Sequence, residues 1–324
     1  MPVRALLRAV YAGEGRTPYD VITLKVYYPA TPTPDAAALE SGIWPVVPGD
    51  APLPVAILLP GVNCESSMYA WLAAAIAQEG FIVAVISWVA QNLAGRVSLT
   101  PGLRLEALKP ETYGHEMSCS SLPAVLAELS ALQREGLLAG RLDMARIVLM
   151  GHSAGGTMAL MNASARFVPG LAAAVSCMSN VLATSALGGW QGGALPPLPH
   201  EVPTLMIAGD DDAVSRHHNE AFGRPGWDSG LMHWAMFDDA LSDHRGDSAG
   251  ALLAGAGHYT PCWPLDETIG RTYLEAPDDS AAHRAAIASL ITAFLCRHVL
   301  RTHGDECWQH TLDALQHRVI IRQR

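Results

Sequence analysis

The sequence predicts an α/β protein: a mostly parallel central sheet with helices on both faces and lid-like loop insertions. Three observations predict it. Short apolar runs take turns with helical patterns along most of the 324 residues. The runs are apolar throughout, as strands covered on both faces are. Half of the chain is hydrophobic, enough to bury a large core.

The elements follow in order. VITLKVYYPA (21–30) and PVAILLPG (54–61) read as strands, joined by the proline-rich surface loop TPTPDAAALESGIWPVVPGDAPLP. MYAWLAAAIAQEG reads as a helix, FIVAVISW as a strand, SSLPAVLAELSALQREG as a helix and RIVLM as a strand. AAAVSCMSN, PTLMIAGDDD and GALLAGAGHY add three strands, and DSAAHRAAIASLITAFLCRHVL closes with a long helix. The proline-rich loop joins strands of one sheet, so a single domain over 1–324 is expected. Three segments exceed what a minimal sheet needs: 89–117, 213–250 and 301–324. Loops leaving the carboxyl ends of parallel strands surround the ligand crevice, so the first two are expected to form a lid or pocket walls. The third reads as a helical extension.

Charge narrows the partners. The chain carries 21 basic against 31 acidic residues, a net charge of −10, and no basic cluster. Nucleic acid and anionic membrane surfaces are therefore disfavoured, and a neutral or cationic small molecule is easier to accept. The N-terminal MPVRALLRAVYAGEG has arginines interrupting its apolar run, unlike a secretory signal, and nowhere do about eighteen apolar residues run together. A soluble, cytoplasmic protein is expected. Cysteines 64, 119, 177, 262, 296 and 307 show neither CxxC nor metal spacing and read as reduced, mostly buried thiols. No cofactor and no metal are expected.

The stretch IVLMGHSAGGTMALMNAS (147–164) places Ser153 where an apolar strand gives way to helical spacing. So sharp a turn strains the central residue and needs small neighbours, which Gly151, Ala154, Gly155 and Gly156 provide. Such an elbow exposes the hydroxyl at the end of a sheet and sets the next amide at a helix N-terminus, where negative charge is favoured. A glycine-rich helix start would look similar, so the serine needs partners. Acyl transfer requires a base, an acid to orient it and donors for an oxyanion. After PTLMIA, the turn GDDD throws an acid off a strand tip. Asp212, three residues past Gly209, leads, followed by Asp210 and Asp211. An acidic loop or helix cap would account for one of these aspartates. His258 leaves another strand tip in AGHYT. The order Ser153, Asp212, His258 is the one found when a nucleophile elbow sits on an α/β sheet. The PGVN turn (60–63) offers the Val62 amide as a second oxyanion donor beside that of Ala154.

With these residues in view, the chain resembles the α/β-hydrolases. Within that superfamily, PVAILLPGVNCESSMYAWLAAAIAQEGFIVAVISW followed by RIVLMGHSAGGTMAL is similar to the branch of dienelactone hydrolases, chlorophyllases and cutinase-like polyester hydrolases, over about residues 20–300. The resemblance implies Ser153 as nucleophile, His258 as general base and then acid, Asp212 as orienting acid, and the Val62 and Ala154 amides as oxyanion hole. It implies a cofactor-free serine hydrolase. Dienelactone hydrolases carry cysteine where this chain has Ser153, and polyester hydrolases often carry methionine where it has Ala154.

The expected activity is cleavage of a carboxylic ester or lactone of a small, fairly apolar molecule through an acyl-enzyme on Ser153. An acyltransferase, cyclase or lyase using the same residues is the alternative, motivated by the two long insertions that could exclude water. A non-catalytic binding protein is a remote third. Trp88, Trp227 and Trp234 are candidates for the substrate pocket, with core packing the competing reading for Trp88. His303, His310 and His317 recur every seven residues around Cys307. Over a helix that spacing spans about 10 Å, too far for one shared ion, so a polar or partner-facing stripe is favoured. His217, His218, Asp238, Asp239, Asp243 and His244 read as surface loop residues.

Overall fold

The computed structural model describes residues 1–13, 16–91, 96–241, 245–268, 270–275, 278, 280–302 and 304–324. In chain order these form β1 (Val3–Tyr11), β2 (Val21–Pro29), α1 (Ala36–Ser41), β3 (Leu53–Leu59), α2 (Ala70–Gln78), β4 (Ile82–Gln91) and β5 (Val97–Leu99). There follow α3 (Leu122–Arg134), β6 (Leu142–His152), α4 (Ala154–Met161), β7 (Leu171–Cys177), α5 (Val181–Leu187) and β8 (Thr204–Gly209). The chain then continues through α6 (Ala213–Ala221), α7 (Ser229–Ala235), β9 (Ala249–Leu253), α8 (Ala281–Leu295), α9 (Gly304–Leu315) and β10 (Val319–Gln323).

The described strands form one sheet in the order β1-β2-β4-β3-β6-β7-β8-β9-β10, with the short β5 on β4. From β4 to β9 every neighbour is parallel, and the antiparallel pairs lie at the edges. Side-chain period divides the core in two. Val55, Ile57 and Leu59 of β3 face one way with α3 and α4, whereas Ala56 and Leu58 face the other with α2, α8 and α9. Covering both faces explains why the central strands are apolar without alternation.

Each strand read from sequence lies in this sheet, and three strands went unread: β1, β10 and the short β5 inside the 89–117 insertion. β1 pairs with β2 along its whole length, yet it is an edge strand whose Leu7 and Tyr11 are exposed. Its arginines break the apolar signal. The 301–324 segment is helical only as α9. Its end is β10, which closes the far edge antiparallel to β9, so the expectation of a purely helical extension is corrected. The 213–250 insertion is a crossover with two helices joining the parallel β8 and β9, which any such pair requires. Among the described residues, no helix is long and apolar enough to cross a membrane.

Candidate active site

β6 ends at His152 and α4 begins at Ala154, leaving Ser153 at φ 54, ψ −123. A positive φ at a non-glycine residue is strained. The surroundings hold it there: the Ser153 amide donates to Cys177 O at 2.9 Å. A Cβ on Gly155 would lie 2.1 Å from Leu59 O, and one on Gly151 would lie 2.4 Å from the Gly155 carbonyl carbon. These glycines therefore answer to the close approach of α4 to β3 and β6.

Three residues far apart in sequence meet at this elbow. The Ser153 hydroxyl donates to His258 Nε2 at 2.9 Å, and His258 Nδ1 donates to Asp212 Oδ2 at 2.8 Å. The carboxylate accepts only, which fixes the Nδ1–H tautomer and leaves Nε2 basic toward the serine. Asp212 is also the N-cap of α6, its Oδ1 accepting from Ser215 N at 2.6 Å. Capping and orienting the imidazole thus fall to the two oxygens of one side chain. The other two candidate acids do other work: Asp210 accepts from Gly255 N at 2.6 Å, and Asp211 pairs with Arg216. Burial disfavours a charged His258, but the charge of Asp212 and its hydrogen bond outweigh it. The imidazole pKa lies above its usual value as a result.

Val62 and Ala154 line the same cavity as Ser153 and His258. Among the described residues no acceptor takes either backbone amide, so both remain available to an oxyanion. The cavity holds about 400 Å³, within the range of small-molecule sites. Its walls come from loops at the carboxyl ends of successive strands. Leu103 follows β4, Ala183 and Leu187 belong to α5, Val214 and His218 start α6, and Arg271 and Tyr273 follow β9. No Asp or Glu lines it among the described residues, whereas Arg96 and Arg271 do. Burial, then the Arg271 charge, pushes the His218 imidazole down to about 3.

The three tryptophans are placed elsewhere. Trp88 is buried in the core with Nε1 donating to Tyr19 O at 3.0 Å. Trp227 packs under the Arg224 guanidinium, and Trp234 lies beneath Arg322 with its edge toward Phe237. None lines the cavity. Most of 213–250 covers β8 and β9 away from the serine, which takes both lid tryptophans with it. From 89–117, Arg96 and Leu103 reach the cavity. His310 and Cys307 are exposed on α9 and His317 follows the helix, so the seven-residue spacing makes no single face. His303, Asp243 and His244 lie outside the described residues.

Several supporting residues carried no sequence signal. The Glu275 carboxylate accepts from Ala213 N at 2.9 Å and Tyr259 N at 3.2 Å. It thereby clamps the residue after Asp212 to the residue after His258. Beneath the serine, His152 Nε2 donates to the His258 carbonyl at 2.9 Å, so its Nδ1 accepts from the Tyr69 hydroxyl at 2.8 Å. That hydroxyl accepts from Gly61 N at 3.0 Å. Cys64 and Cys262 complete this buried layer, and the ligating atoms of Cys64, His152 and Cys262 lie within 4.8 Å of one another. Residues 64, 152 and 262 are too distant in sequence to show metal spacing. Nδ1 of His152 is already occupied by Tyr69, so the set reads as a hydrogen-bonded pair of thiols. All six cysteines are free, with Cys307 alone exposed.

The architecture is that of the α/β-hydrolases. A ferulic acid esterase from Streptomyces cinnamoneus superimposes with a TM-score of 0.56 over 93% of this chain and 91% of its own, at 15% identity. That likeness is one of fold. A bis(hydroxyethyl) terephthalate hydrolase from Streptomyces coelicolor is 27% identical over 181 residues. The match takes in 55% of this chain and 47% of that protein, so the chain spans about half the length of the curated relative it resembles. No family model matches.

Proposed function

We propose that the chain is a serine hydrolase that cleaves carboxylic esters of small molecules. The observation that carries this reading is the continuous relay Ser153 Oγ, His258 Nε2, His258 Nδ1, Asp212 Oδ2, with contacts of 2.9 and 2.8 Å. His258 removes the Ser153 proton as the oxygen attacks the ester carbonyl. The oxyanion that forms is held by the Val62 and Ala154 amides, each contributing about 3 kcal/mol to lowering the barrier. The alcohol leaves with the proton from His258, and water repeats the sequence on the acyl-enzyme. The names of the two Streptomyces proteins, a terephthalate-ester hydrolase and a ferulic acid esterase, agree with this chemistry.

The cavity refines the substrate. Leu103, Ala183, Leu187 and Val214 accept an apolar body, and Arg96 and Arg271 in the same lining favour an anionic group. The net charge of −10 describes the whole surface, whereas the charged side chains lining the cavity among the described residues include Arg96 and Arg271 and no carboxylate. We therefore favour esters whose acid or alcohol part also carries a carboxylate. Hydrolysis is preferred to acyl transfer because Val214 and His218 are the residues that 213–250 contributes to the cavity. Both belong to the first turns of α6, and a water-excluding lid would need more of that segment. The test is turnover of p-nitrophenyl esters by the chain and by Ser153→Ala. Hydrolysis should fall at least a thousandfold in the variant, and equal rates would end the reading.

A further inference from the structure

We propose that Cys64 and Cys262 form a peroxide-responsive dithiol directly beneath the active site, convertible to a disulfide that disables it. The sulfurs lie 3.9 Å apart, with Cys262 donating to Cys64. Cys64 lines the active-site cavity and Cys262 is buried behind it. Both thiols are buried, but Cys64 borders the cavity by which a small oxidant enters, and Cys262 lies within reach of it. The pair is chemically asymmetric in the same sense. The hydrogen bond from Cys262, outweighing burial, holds the Cys64 thiol well below its usual pKa, whereas burial and then Cys64 push Cys262 well above. An attacking thiolate beside a protonated resolving thiol is the arrangement that thiol oxidation requires.

The chemistry balances with hydrogen peroxide as oxidant. The Cys64 thiolate attacks one peroxide oxygen and the O–O bond breaks, giving a sulfenic acid and hydroxide, which takes up the proton that Cys64 had released. The Cys262 sulfur then attacks the Cys64 sulfur, its proton leaving with the sulfenic oxygen as water. Two thiols and one peroxide become a disulfide and two waters.

The location gives the bond a consequence. Cys64 lies two residues past Val62, and its sulfur is 3.7 Å from the Val62 carbonyl oxygen. Cys262 lies four residues past His258 and is anchored on both sides: Pro261 O accepts from Trp71 Nε1 at 3.1 Å, and Trp263 N donates to Met68 O at 2.9 Å. A disulfide needs its sulfurs about 2.05 Å apart. The Val62–Cys64 turn is held by Asn63 N donating to Leu99 O at 2.9 Å and Cys64 N donating to Gly61 O at 3.2 Å, and Asn63 has φ 61, so drawing the sulfurs together strains the turn that carries the Val62 amide. Closing the bond pulls the Val62 amide out of place.

The experiment treats the full chain with hydrogen peroxide and maps its peptides by mass spectrometry without reduction. The expected product is a cross-linked peptide pair containing Cys64 and Cys262, removed by dithiothreitol. Cys262→Ser should give no cross-link and should leave Cys64 as a sulfenic acid labelled by dimedone. Oxidation confined to the exposed Cys307 would overturn the proposal. So would one zinc per chain that protects both thiols from peroxide. The activity arm rests on the proposed esterase function: hydrolysis should fall at least tenfold on oxidation and return on reduction. A cross-linked protein with full esterase activity would overturn the regulatory part. The cross-link is read by mass, so it decides the dithiol even in a chain that cleaves no ester.

Discussion

Asp212 holds the imidazole of His258 at 2.8 Å with one carboxylate oxygen while the other caps α6 through Ser215 N at 2.6 Å. The two tasks separate by substitution. Asp212→Asn keeps a good helix cap but presents an amide to His258 Nδ1, which favours the wrong tautomer. Esterase turnover should fall on the order of 10⁴-fold, with little change in melting temperature. Asp212→Ala should lose as much activity and in addition about 1 kcal/mol of cap, visible as a lower melting temperature. Equal melting temperatures for the two variants would mean that the cap contributes nothing.

As the proposed base, His258 must be neutral to accept the serine proton, so the proposed activity should be lost as pH falls through its folded pKa. Asp212 raises that pKa above the usual value of about 6.5. The acid limb of kcat/KM should therefore have its midpoint above about 6.5. In Asp212→Asn the largest attraction is gone and burial is opposed only by the weaker pull of Glu275 and Cys64, so the limb of the residual activity should move to lower pH. A limb that stays in place would assign the titration to another group.

Glu275 acts through its neighbours. Its carboxylate joins the residue after Asp212 to the residue after His258, and its charge helps to raise the His258 pKa. Glu275→Gln should reduce kcat about tenfold with KM little changed, on the scale of a small misplacement of catalytic groups. The same variant should shift the acid limb to lower pH, a change that loss of packing alone would not produce. An unchanged limb with reduced kcat would leave Glu275 a purely structural clamp.

The guanidinium of Arg271 lies at the cavity. Arg271→Gln should lower kcat/KM for a carboxylate-bearing ester about tenfold relative to its neutral analogue, and raised salt should narrow the wild-type preference. Parallel losses for both esters would show that Arg271 shapes the cavity and does not read charge.

Much of this site is legible in the sequence, for a physical reason. The elbow needs small residues in a row around Ser153, and the acid and base each sit at the end of an apolar run, so local constraints leave local marks. The choice of Asp212 over Asp210 and Asp211 follows an offset from Gly209 that the turn geometry imposes. What stayed hidden depends on long-range approach. Arg271 and Tyr273 reach the cavity from a segment after His258 with no periodic pattern, and Cys64 meets Cys262 only because β3 and β9 both end at one rim of the sheet. The tryptophans misled because an exposed-looking aromatic in a long insertion can cover a sheet face as readily as a substrate. β1 and β10 escaped because edge strands are half solvated and keep their charged residues.

The central claim is that Ser153 is a nucleophile made reactive by His258. Its most direct measurement is site mapping of a fluorophosphonate adduct by mass spectrometry, in the unsubstituted chain and in His258→Ala. One adduct per chain is expected, on Ser153, formed at least a hundredfold more slowly in the variant. An unlabelled Ser153 in folded protein, or equal labelling rates without His258, would contradict it.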